Sequence, residues 1–140
     1  MKAASEDPTL RAVASIDGSD LREYKNPSDK DRDTAIKWIT STRGIHFSPT
    51  QVIDELIAQQ DYWDPVKYAP GFDGKCVLFV LATKGAGSEH YDPAIADLLR
   101  SRTKFTEVAL DTTHSFADKR IALTRAVLSW AEQLKSQGCL

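Results

Sequence analysis

Hydrophobic residues along this chain fall into three short runs that predict β-strands. The run Leu10–Ile16 ends in the turn formers of residues 17–20, which predicts a short buried strand followed by a loop. Cys76–Ala82 is apolar at every residue and has glycines on both sides, as expected for a central parallel strand buried on both faces. Phe105–Leu110 alternates between apolar and polar residues and predicts a third strand.

Segments with helical spacing lie between these strands. Helices are predicted over residues 28–43, from Ser48 to about residue 60, after Asp92, and over residues 117–134. The last helix is the longest, and its apolar stripe is read as Ile121, Leu123, Val127, Trp130 and Leu134. Residues 61–74 contain two prolines and two glycines and predict a long loop.

The alternation of strands and helices predicts an α/β fold with three mainly parallel strands and flanking helices. A chain of 140 residues is long enough for one domain and too short for two, so we expect residues 1–140 to form a single domain. The middle segment, residues 21–74, is interpreted as a cap or lid insertion. The first strand would then be an apolar edge without a partner.

Composition excludes several classes of function. With 41% hydrophobic residues, 27% charged residues and a net charge of −2, the chain has the profile of a water-soluble globular protein without a basic surface for nucleic acid. No apolar run is long enough for a membrane span or a leader, although a leader upstream of Met1 would change that conclusion. Two cysteines suggest neither a disulfide framework nor a metal site, and therefore a reducing, cytoplasmic compartment. His46 and His90 lack partners at ligand spacing, so neither a metal nor a cofactor is expected.

The two ends of the chain resemble parts of a known family. Residues 110–123, with His114 a few polar residues after a strand and Trp130 near the end of the following helix, resemble the histidine loop and final helix of α/β-hydrolases. Residues 6–18 look like the strand after the nucleophile helix in dienelactone-hydrolase-like and platelet-activating-factor-acetylhydrolase-like members. The resemblance implies the C-terminal part of an α/β-hydrolase fold, with residues 21–74 as its helical cap.

This resemblance assigns roles to three residues. In such enzymes the chain order is serine, acid and histidine, and the histidine acts as the general base. His114 takes that role here. The acid is Asp17, as in the acetylhydrolase-like members, or Glu89, which lies after the second strand but later than usual; Asp17 is preferred.

The nucleophile has no counterpart in the sequence. No Gly-x-Ser-x-Gly string occurs, and Ser5 and Ser15 have no flanking glycines. The resemblance therefore implies the C-terminal portion of a serine hydrolase acting on ester or related acyl bonds, inactive by itself. The alternative is a non-catalytic α/β module that self-associates or docks a partner through the edge at residues 10–16.

Overall fold

The computed structural model describes residues 1–18, 26–41, 47–84 and 93–140, without the side chains of residues 63, 93 and 94. The chain divides into two compact units, one formed by residues 1–20 and 65–140 and the other by residues 21–64. Residues 65–74, which the sequence grouped with the insertion, pack in the first unit. Within the described ranges, no helix has the length and apolar character needed to cross a bilayer.

The first unit is built on a three-stranded parallel sheet, which confirms the predicted α/β class. Its strands are β1 (Ala12–Ile16), β2 (Cys76–Ala82) and β3 (Lys104–Leu110), in the order β1-β2-β3. Both neighbouring pairs are parallel. Helices join and cover these strands: α1 (Lys2–Glu6), α5 (Pro65–Tyr68), a 3₁₀ helix (Ala69–Phe72), α6 (Pro93–Arg100) and α7 (Arg120–Gln133).

Strand β2 is central and packs on both faces, as its apolar sequence predicts. Because successive side chains of a strand point to opposite faces, its residues divide between two hydrophobic clusters. Cys76, Leu78, Val80 and Ala82 lie in the cluster beneath α7. Val77 and Phe79 lie in the cluster formed with α1, the 3₁₀ helix and α6. The sheet is thus the middle of three layers.

Helix α1 is fixed to the first unit by an unusual buried lysine. Lys75 is 6% exposed, and its Nζ donates to the carbonyl oxygens of Ala4 at 2.5 Å and Asp7 at 2.7 Å. The backbone also approaches closely, since a Cβ at Gly71 would lie 2.1 Å from the carbonyl oxygen of Ser5. A cation at the C-terminal carbonyls of a helix is favourable because it meets the negative end of the helix dipole.

The prediction of a long loop over residues 61–74 is wrong. This stretch forms short helices instead: the end of α4 (Gln60–Trp63), α5 and the 3₁₀ helix. Pro65 begins α5 and Pro70 lies in the first turn of the 3₁₀ helix, positions where proline needs no backbone N–H. The prolines therefore start helical turns here rather than ending them.

Helix α7 packs on the sheet with a narrower stripe than predicted. Leu123, Val127, Trp130 and Leu134 contact the cluster beneath it. Ile121, which we expected in the same stripe, is 78% exposed. At 3.6 residues per turn, Ile121 lies about 200° from Leu123 around the helix, so the two side chains cannot share a face.

The two cysteines form a disulfide, so the expectation that they stay unpaired is wrong. Cys76 at the start of β2 is bonded to Cys139, with Cα atoms 6.1 Å apart, and both residues are buried. The chain turns back after α7 through Gly138, whose φ of 68° belongs to the left-handed region that favours glycine. The paired cysteines do not support a reducing compartment, because disulfides persist mainly in oxidising environments.

The second unit is helical in its described residues and has its own small core. It contains α2 (Asp29–Ser41), α3 (Pro49–Ala58) and α4. Ala35, Ile39 and Ile53 form its buried cluster. At the start of α2, the Ser28 hydroxyl accepts a hydrogen bond from the Asp31 N–H and donates one to the Asp31 carboxylate, so it caps the helix. Ser48 occupies the predicted cap position of α3, but its side chain makes no cap hydrogen bond.

Candidate functional site

The candidate site lies where β1 and β3 end, on the same edge of the sheet. Asp17 follows β1 directly, and His114 lies in the loop between β3 and α7. Because parallel strands all point the same way, residues that follow their carboxyl ends meet at one edge, which is where open α/β sheets bind ligands. The structure brings these two residues together although 97 positions separate them in sequence.

The Asp17 carboxylate bridges the end of the central strand. Its Oδ1 accepts a hydrogen bond from the backbone N–H of Ala82 at 2.9 Å, and its Oδ2 lies 2.7 Å from Nδ1 of His114. The Asp17 N–H donates to the carbonyl of Val80 at 2.7 Å, so the backbone keeps the ladder of β1 for one more residue. The side chain then takes the place that a backbone carbonyl would occupy if the strand continued.

The backbone at Asp17 turns sharply out of the sheet. Its φ is 46°, a left-handed conformation that is uncommon for residues other than glycine, although Asp and Asn tolerate it better than most. This turn keeps the side chain under the sheet edge, where Asp17 is only 6% exposed. A buried carboxylate with both oxygens engaged has a fixed position, which is what an orienting group requires.

The His114 ring is held on one side and open on the other. Its side chain is 68% exposed, and the contact with Asp17 is its only hydrogen bond to the residues that the structure describes. A carboxylate accepts hydrogen bonds, so Nδ1 carries the proton and Nε2 of the neutral ring presents a lone pair outward. That arrangement suits a general base or a nucleophile.

The loop that carries His114 is anchored on both sides of the histidine. Before it, Thr112 is 1% exposed and its hydroxyl donates to the carboxylate of Asp118. After it, Phe116 is 3% exposed in the cluster beneath α7 and adopts a φ of 51°. The N–H of Phe116 donates to the carbonyl of Thr113 at 2.9 Å, which closes the turn around His114.

Two charged groups near this loop have shifted pKa values. The hydrogen bond from Thr112 lowers the pKa of the Asp118 carboxyl, because it stabilises the ionised form. The hydrogen bond and charge of Asp111 raise the pKa of the Lys84 ammonium, whose Nζ lies 2.8 Å from Oδ2 of Asp111. The N–H of Lys84 also donates to the carbonyl of Thr112, so the loops after β2 and β3 are tied together.

Comparisons with protein-family models, with curated proteins and with solved structures find no match to this chain. The interpretation of the site therefore depends on its geometry and chemistry.

Glu89, the alternative acid, lies outside the described residues, so its role stays a prediction. Among the described side chains, no group of three or more His, Cys, Asp or Glu is placed to hold a metal ion. Thr112 and Phe116, which support the His114 loop, were not predicted from the sequence. Thr112 had a usable signal, a hydroxyl residue two positions after a strand, whereas nothing in the sequence indicates the left-handed backbone of Phe116.

Proposed function

We propose that Asp17 and His114 are the acid and the base of a serine-hydrolase site of the α/β-hydrolase type, acting on ester or related acyl bonds. The observation that carries the proposal is the 2.7 Å contact between the buried Asp17 carboxylate and Nδ1 of an otherwise exposed imidazole. In such a site the carboxylate fixes the tautomer and stabilises the imidazolium that forms when Nε2 takes a proton from the serine hydroxyl.

Chain order and topology support this assignment. The acid precedes the histidine, as in α/β-hydrolases, and both follow parallel strands at the same sheet edge. The chain contains no Gly-x-Ser-x-Gly string, so the nucleophile must come from residues outside this sequence. Strand β1 is the outermost strand on its side of the described sheet. A parallel strand added beside it would end next to Asp17.

The test begins with the coding sequence upstream of Met1. The proposal predicts an in-frame Gly-x-Ser-x-Gly string there and labelling of the extended protein by a fluorophosphonate probe. His114→Ala and Asp17→Asn should each slow labelling by at least about a thousandfold, since triad members act as a unit. His90→Ala is the matched histidine control and should label normally. An authentic start codon with no such string upstream, or labelling that survives His114→Ala, would refute the proposal.

A second candidate function rests on the open edge of β1. The register leaves the backbone N–H and C=O groups of Ala12, Ala14 and Ile16 pointing away from β2, and the Ile16 side chain is 44% exposed. Among the described residues this side of β1 has no partner strand, and such a side is a template for pairing with another chain. In this case the protein would form a dimer that Ala14→Lys disrupts, while Ile121→Lys, at an exposed apolar position on α7, leaves it intact. A monomer by light scattering at high protein concentration would exclude this candidate.

A further inference from the structure

His114 is a side chain equipped to act as a nucleophile without a serine. Both cysteines are consumed in the disulfide, so no free thiol is present. The sequence has three histidines, and of these His114 is shown with an orienting carboxylate. Histidine is itself among the side chains that form covalent intermediates in catalysis.

We propose that this chain hydrolyses short-chain aryl esters by itself, with Nε2 of His114 as the nucleophile. The inference rests on the same Asp17–His114 pair as the proposed function, but it requires no added residue. Aryl esters are the substrate class because imidazole displaces a phenolate readily, whereas an alkoxide is a poorer leaving group than the imidazole. Short acyl groups follow from the 68% exposure of the ring, since a long acyl chain would stay largely in water at such a position.

The reaction proceeds in two balanced steps. The Nε2 lone pair attacks the ester carbonyl, the bond from the carbonyl carbon to the aryl oxygen breaks, and the phenolate leaves with that electron pair. His114 is then an N-acylimidazolium that still carries the Nδ1 proton. Water attacks the acyl carbon, the carbon–Nε2 bond breaks, and the carboxylic acid and one proton are released. The ring returns to its starting tautomer.

Asp17 favours the first step because positive charge develops on the ring during attack. The charge appears beside a carboxylate that lies 2.7 Å from Nδ1 and is already held by the Ala82 N–H. A group positioned before the reaction stabilises the transition state without reorganisation. Asp17 is 6% exposed, so little water competes for the same charge. Free imidazole lacks this partner, so His114 should hydrolyse the ester faster than free imidazole does.

The experiment measures steady-state hydrolysis of p-nitrophenyl acetate by the disulfide-intact chain. Lysines and the amino terminus acylate once, so turnover is taken from the linear phase after any burst. We expect a rate per site above that of free imidazole, a loss of at least about tenfold in His114→Ala, and a similar loss in Asp17→Asn. The matched control is the double variant His46→Ala/His90→Ala, which removes the other two histidines and should retain the activity.

Two further readouts separate positioning by Asp17 from a structural role. Nitrogen-15 NMR should show a pyridine-like Nε2 at His114 in the parent chain and a mixture of tautomers in Asp17→Asn. Diethyl pyrocarbonate should modify His114, as located by peptide mass, and should abolish turnover. Hydroxylamine, which removes the carbethoxy group, should restore turnover.

The possible results distinguish this inference from the proposed function. Turnover that is unchanged in His114→Ala, or a single burst at His114 without turnover, overturns the esterase activity. If the Nε2 signal nevertheless shows the fixed tautomer, the Asp17–His114 pair and its proposed role as acid and base remain intact. A His114 ring without a fixed tautomer in the parent chain overturns both.

Discussion

Reduction of the disulfide between Cys76 and Cys139 should strongly destabilise the first unit. The two cysteines are 63 positions apart, and the bond closes a loop of that length in the unfolded chain. The chain-entropy relation for a loop of this size gives about 4 kcal/mol of stabilisation, between about 3 kcal/mol for 15 residues and about 4.7 kcal/mol for 100. This is a large share of the 5–15 kcal/mol, roughly, by which small domains are stable.

Urea denaturation followed by circular dichroism, with and without a phosphine reductant, measures this effect. With a slope of about 2 kcal/mol/M, the midpoint should fall by about 2 M on reduction. Cys139→Ala provides the control, because it removes the crosslink near the end of the chain and should behave like the reduced parent whether or not reductant is present. A midpoint that does not move on reduction, or two free thiols in the denatured, unreduced protein, would refute the reasoning.

Four other perturbations test the fold and the site. Lys75→Met should lower the free energy of unfolding by about 3 kcal/mol, because two carbonyls lose a charged donor; urea titration measures this loss, and an unchanged midpoint contradicts it. Leu78→Ala should cost about 2–5 kcal/mol in the same assay, since the side chain is fully buried in the central strand. Thr112→Val should be destabilising near neutral pH but less so below about pH 4. The lowered pKa of Asp118 stabilises the fold above the ordinary value of 3.8, and that stabilisation is lost as the carboxyl protonates. An equal loss of stability at both pH values would argue against this reasoning. His114→Ala should change stability by no more than about 0.5 kcal/mol, because the ring is 68% exposed, and a larger loss would indicate a structural role.

The central strand and the acid–histidine contact were predictable from sequence for the same reason. An all-apolar run such as Cys76–Ala82 needs burial on both faces, and only the middle of a layered sheet provides it. Once that strand is central and parallel, the residues after its neighbours must meet at one edge. Asp17 directly follows the first predicted strand, and His114 lies in the loop after the third. Their proximity therefore follows from the topology of the sheet rather than from local sequence.

The disulfide was missed because counting cysteines ignores where a fold brings them. Cys76 begins the central strand, at the edge of the sheet opposite to Asp17. Helix α7 starts after β3 and returns across the sheet, so its C-terminal end arrives beside Cys76. Two cysteines far apart in sequence therefore meet because the last helix returns across the sheet. Phe116 combines a left-handed backbone with a buried side chain, and no sequence pattern predicts that combination.

The difference in burial between Asp17 and His114 is the strongest physical reason to connect the pair with function. An ion pair with an exposed partner typically contributes only about 0–1 kcal/mol to stability. Here the acid is buried, in a left-handed conformation that most residues avoid, and the ring it holds is left open to solvent. Uncommon backbone conformations of this kind cluster at functional sites, where the surrounding structure maintains them. What the fold maintains here is the orientation of one imidazole nitrogen toward the outside.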